Sequence, residues 1–135
     1  MSWYILVQEM PSDAVRIADI PDDFQPAPLG PRDVLIEQIK AIVPAADFTD
    51  PAWGLIDGPG FSVEVSLGEG EVVQGFAFHV RGGDAAAGLV ADILESLGLR
   101  AFDMTTGEFF DPLHATESLR QWRSYRNRVV GQQPN

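Results

Sequence analysis

The sequence predicts an α+β fold in which an antiparallel sheet carries two helices, and three observations predict it. Phe61, Val63, Val65 and Leu67 alternate with Ser62, Glu64 and Ser66, the period of a strand with one buried face. Two other stretches place apolar residues at helical spacing, Leu35 to Val43 and Leu89 to Leu97. The chain has 135 residues, of which 45% are hydrophobic, enough for one core, so residues 1–135 are read as a single domain.

Trp3 to Val7 is apolar on both alternating faces, which suits a central strand covered on each side. Residues 8–32 carry Pro11, Pro21, Pro26, Pro28 and Pro31, and Phe24 and Leu29 give this loop something to bury. Pro31 and Pro44 bracket a first helix from Arg32 to Val43. The segment ADFTDPAWGLIDGPG reads as turns, leading into the strand Phe61 to Leu67.

A tight turn at Glu69-Gly70 would return the chain as a strand from Val72 to Arg81. That register sets Phe61 opposite Phe78, Val63 opposite Phe76 and Leu67 opposite Val72. Asp84 is a suitable N-cap for the second helix, and Gly98 is placed to end it. Leu99 to Met104 and Glu108 to Phe110 follow as two short strands, and a last helix is expected over 115–129, with Trp122, Tyr125 and Val129 on one side. The order is the ferredoxin-like split β-α-β-β-α-β with an extra hairpin strand and a C-terminal helix. Gly75 and Ala77 fall on the sheet face away from the two helices, with the C-terminal helix as its first candidate cover and a second protomer as the alternative.

The absence of cysteine excludes disulfides, thiolate metal sites and a cysteine nucleophile, and makes the cytoplasm the simplest compartment. No export signal is evident, and no apolar run is long enough to span a bilayer. A formal net charge of -11 argues against nucleic acid and anionic membranes as partners and favours a basic protein. The charge is uneven: residues 113–135 hold four arginines against Glu117, whereas residues 1–112 hold 19 acids against five bases. A basic terminal helix docked on an acidic body is the simpler explanation than a nucleic-acid arm.

The stretch HVRGGD, residues 79–84, holds the parts of an anion site, an arginine beside a Gly-Gly turn at a helix start. Asp84 works against that, because a capping carboxylate occupies the backbone donors and repels an anion. Glu64, His79, Arg81, Gly82 and Gly83, with Asp103 from a neighbouring strand, are nevertheless the candidate ligand-binding set. Trp53 is the candidate partner anchor. Asp47, Asp50 and Asp57 lack the spacing of a calcium loop, His79 and His114 lack that of a metal pair, and no nucleophile elbow or Walker loop is present. No metal, cofactor or catalytic residue is expected.

The motifs IPDDFQPAPLG, DPAWG, HVRGGD, TGEFFD and WRSYR, in this order, resemble a family of small bacterial proteins with no established activity. The resemblance spans nearly the whole chain and implies a freestanding protein, with no functional residue to carry over. The sequence therefore points first to a non-enzymatic, acidic protein-binding domain, of which an immunity or antitoxin role is a special case. A small-molecule or anion binder at the sheet end around His79 and Arg81, with or without enzyme activity, is the second reading. A structural homo-oligomer is the third.

Overall fold

The computed structural model describes residues 3–110 apart from 12, 15, 83, 105 and 106. The helix expected over 115–129, with Trp122, Tyr125 and His114 near it, lies outside the described residues, as does Gly83. In chain order the elements are β1 (Trp3–Gln8), a 3-10 turn (Ile17–Asp19), β2 (Gly30–Pro31), α1 (Arg32–Ile42), β3 (Trp53–Gly58) and β4 (Phe61–Ser66). Then come β5 (Val72–Val73), β6 (Gly75–Gly82), α2 (Asp84–Leu97), β7 (Ala101–Asp103) and β8 (Glu108–Phe110). Six strands form one sheet in the order β3-β4-β6-β1-β7-β8, with every neighbouring pair antiparallel, and β2 and β5 form a separate small ladder.

Alternation along the strands decides which face is dry. Trp3, Ile5 and Val7 of β1, Val63 and Val65 of β4, and Phe76, Phe78 and Val80 of β6 all turn to one side and are buried there. Leu35 and Ile39 of α1 and Ala86, Ala87, Val90, Ile93 and Leu94 of α2 close over them as one core. Each helix ends for a local reason. Pro44 follows the C-cap of α1, where the Val43 N–H donates to Ile39 O at 2.8 Å. Gly98 ends α2 at φ +65°, and the Gly98 and Leu99 N–H groups donate to Glu95 O and Leu94 O, the two bonds of a Schellman motif.

The structure corrects the sequence reading at three places. The segment read as turns contains a strand, β3, whose glycines mislead. A Cβ on Gly54 would lie 2.3 Å from the Phe48 ring and one on Gly58 2.3 Å from the Phe61 ring. Each glycine is there because an aromatic ring lies across the strand, so it marks close packing and not a bend.

The pairing of β4 with β6 is also shifted. Phe61 faces Gly82, Val63 faces Val80 and Val65 faces Phe78, four residues from the expected register. An even shift leaves every side chain on its expected face, which is why the apolar pattern could not expose the error. The tight turn fails because Val72 and Val73 leave the main sheet to pair with Pro31 and Gly30. Around them Leu29 N–H donates to Val73 O at 2.7 Å, Arg32 N–H to Glu71 O at 2.8 Å, and the Arg32 guanidinium to Gly68 O at 2.9 Å. The strand expected from Leu99 to Met104 is correspondingly shorter, spanning only Ala101–Asp103.

Candidate functional site

Both described helices lie on one face of the sheet, so chemistry accessible on the sheet must come from the other face. Side chains there follow from the pairings. Leu55 sits beside Glu64, Glu64 beside His79, and His79 beside Tyr4. Met104 follows next to Tyr4, to whose carbonyl its N–H donates at 3.1 Å. Trp53 joins this stripe from the adjacent row: its ring centroid lies 5.1 Å from that of His79, while Tyr4 packs edge-on against the same imidazole at 4.2 Å.

Among the described residues six large hydrophobics are exposed, and four of them, Tyr4, Trp53, Leu55 and Met104, belong to this stripe. Scattered exposed apolar residues need no explanation, whereas a contiguous group does. Arg81 reaches Glu64 at 3.9 Å across the strands, with its side chain 55% exposed. A pair so long and so open to water contributes little to stability.

The candidate set separates on this geometry. Glu64, His79 and Arg81 come together on the open face, with Trp53 beside them. Asp103 does not join them: it lies on the helix-covered face, 3% exposed, where it accepts a hydrogen bond from the Trp3 indole at 2.8 Å. The reason is register, since Asp103 pairs with Ile5, an inward residue of β1. Gly82 holds a packing position: its φ is +108°, and a Cβ there would meet Gly60 O at 2.3 Å. Tyr4, Leu55 and Met104 were missed. An apolar run on both faces of β1 hid Tyr4 among core residues, and Leu55 stood in the segment read as turns.

Asp47 and Asp50 are committed to their own turns. Asp47 Oδ1 accepts from the Thr49 hydroxyl at 2.6 Å and from the Thr49 N–H at 2.9 Å, and Asp50 Oδ1 accepts from the Ala52 N–H at 3.0 Å. The two Thr49 hydrogen bonds hold the Asp47 carboxyl below its usual range, helped slightly by Lys40 and opposed by desolvation. Among the described residues no three His, Asp or Glu side chains converge as a metal set.

Partial burial between Tyr4 and Trp53 lowers the His79 pKa, and Arg81 adds to this while Glu64 opposes it. The shift favours the neutral imidazole, so His79 adds an aromatic ring to the stripe beside the Glu64–Arg81 pair. With the folded value depressed, protonation favours the unfolded chain. The cost is absent above the ordinary histidine value of about 6.5 and grows as the pH falls through the window between the two values. His79→Gln should flatten this part of the loss of melting temperature between about pH 7 and pH 5.5. Equal acid sensitivity in both proteins would assign the loss to other groups.

Comparison with protein-family models, with curated proteins and with solved structures finds no match. The reading of function therefore rests on the geometry of this face. No described helix is long and apolar enough to cross a membrane.

Proposed function

We propose that the protein is a non-enzymatic binding module that recognises a basic protein partner through the exposed stripe of Tyr4, Trp53, Leu55 and Met104. The observation that carries this reading is the gathering, on one side of one sheet, of four of the six exposed large hydrophobics among the described residues. Tyr, Trp and Met are enriched where proteins bind one another, and rigid aromatic side chains lose little entropy on docking. Glu64 lies beside Arg81, so the charge preference comes from the chain as a whole: its net charge of -11 favours a cationic partner and speeds its arrival. Neutralising a basic toxin, as immunity proteins and antitoxins do, is one use of such a surface.

Capture of partners from host lysate tests this when it is run beside two controls. Tyr4→Ala with Trp53→Ala should weaken a stoichiometric partner by about 2 kcal/mol or more for each anchor, roughly 30-fold. Val34→Ala with Val72→Ala, exposed hydrophobics elsewhere on the surface, should leave it bound. A partner retained equally by all three proteins would move the binding site off the stripe.

The small-molecule reading at the same sheet end has less support, because Gly82 is needed for packing and Asp103 faces the core. The homo-oligomer reading would use the same stripe, and a dimeric mass lost with Tyr4→Ala would favour it. For the fold, the central order β4-β6-β1-β7, with α1 between β1 and β4 and α2 between β6 and β7, supports the ferredoxin-like arrangement. The flanking strands β3 and β8 are additions to that plan. The cytoplasm, where a cysteine-free chain forgoes nothing, is the compartment that we propose.

A further inference from the structure

Three aromatic rings meet at the centre of the exposed stripe. The Tyr4 and Trp53 rings are inclined at 64° and 41° to the His79 imidazole, with centroids 4.2 and 5.1 Å from it. Although both touch the imidazole, Tyr4 stays 44% exposed and Trp53 38%, so ring surface remains open to solvent. The face of an aromatic ring carries partial negative charge and attracts a cation that comes within about 6 Å of its centre.

The chain already makes one such contact on this side of the sheet. The Arg100 guanidinium lies 3.9 Å from the centre of the Phe109 ring, and Phe109 belongs to the open face because it pairs with Phe102, which pairs with Leu6. Among the described residues no lysine or arginine lies in the same way over Tyr4, His79 or Trp53.

We propose that these three rings form a site for an arginine side chain of the partner, whose guanidinium stacks on Trp53 and Tyr4 with His79 between them. The site rests on the binding-module reading and gives its partner a chemistry, an exposed arginine. The net charge of -11 draws cations to the molecule without choosing among them. Glu64, the cross-strand neighbour of His79, lies 3.9 Å from Arg81, and this pair carries no net charge, so the choice falls to the rings. Desolvation then decides for arginine. The ammonium of lysine is a compact, strongly hydrated charge, whereas the planar guanidinium is weakly hydrated and stacks on aromatic faces. A neutral imidazole, the form that its partial burial favours, adds a ring without repelling the ligand.

Three peptides of about nine residues, alternating glycine with arginine, lysine or citrulline, test this when titrated into the full-length protein at about 0.15 M salt. Citrulline keeps the shape of arginine and lacks its charge. The arginine peptide should shift the NMR signals of the Trp53 indole N–H and the His79 ring. It should bind about fivefold more tightly than the lysine peptide and at least about tenfold more tightly than the citrulline peptide. Trp53→Leu keeps an apolar side chain and removes the ring face, and should lower the arginine affinity about fivefold. Trp53→Phe restores a ring at the same exposed position and should keep most of the affinity. Equal binding of arginine and lysine, shifts that bypass Trp53 and His79, or a Trp53→Leu protein that binds like the parent would each overturn the proposal. The titration needs no partner, so the two readings fail separately. A stripe blind to arginine that still releases its captured partner on Tyr4→Ala with Trp53→Ala would sink the arginine site alone.

Discussion

Gly82→Ala is expected to destabilise the fold by more than about 2 kcal/mol, seen as a lower urea midpoint with an unchanged slope. The residue ends β6 at φ +108°, where a side chain is strained whatever the space. Space is also missing, since a Cβ would lie 2.3 Å from Gly60 O and 2.5 Å from Phe61 Cα. Both are backbone atoms, Gly60 in the β3–β4 turn and Phe61 at the start of β4, so no rotamer change relieves the clash. Gly88→Ala is the matched control. It sits within α2 with nothing within 4 Å of its added methyl, and should raise stability by about 0.5–1 kcal/mol. A Gly82→Ala protein as stable as the parent would mean that the turn between β3 and β4 does not close on β6. The same substitution would be a poor probe of anion binding, because loss of fold and loss of ligand would look alike.

Trp3 is expected to be the most sensitive side chain of β1. It is fully buried, donates its indole N–H to Asp103 Oδ2 at 2.8 Å, and meets the Phe110 ring edge-on at a centroid distance of 5.4 Å. Trp3→Ala should cost about 3–5 kcal/mol, a large part of the total stability of an ordinary domain. Trp3→Phe separates packing from hydrogen bonding. It keeps an aromatic ring but takes a donor from a buried carboxylate, and should still cost about 1–3 kcal/mol. If Trp3→Phe behaves like a neutral surface change, the indole bond contributes nothing and Asp103 is satisfied without it.

What the sequence made legible was what local rules control. The stripe of α2, its Gly98 ending and the inward faces of β4 and β6 follow from periodicity and from one glycine's backbone freedom. What it hid depended on contacts between distant segments. Gly54 and Gly58 read as turn residues until Phe48 and Phe61 are seen to lie against them. The register of β4 on β6 was hidden because an even shift preserves the faces, and only the pairing of Val72 with Pro31 settles it. The site was legible in the same partial way. Glu64, His79 and Arg81 were grouped by strand alternation, but Tyr4 and Leu55, which turn the group into an apolar stripe, are joined to it only by strand order. Asp103 was misplaced because the phase of a three-residue strand cannot be read from its own residues.

The outer margin of β3 has a consequence for behaviour at high concentration. The Leu55 N–H donates to Asp47 O at 2.9 Å and the Leu55 carbonyl accepts from the Asp47 N–H at 2.8 Å, while the Trp53 N–H donates to Asp50 O at 3.0 Å. An edge strand normally offers a row of unsatisfied peptide groups that can template another chain. Here a four-residue span of ordinary loop, Asp47 to Asp50, occupies those groups at their most hydrophobic point. Strand addition is thus hindered at Leu55 and Trp53, the stretch of that margin that lies next to the aromatic surface.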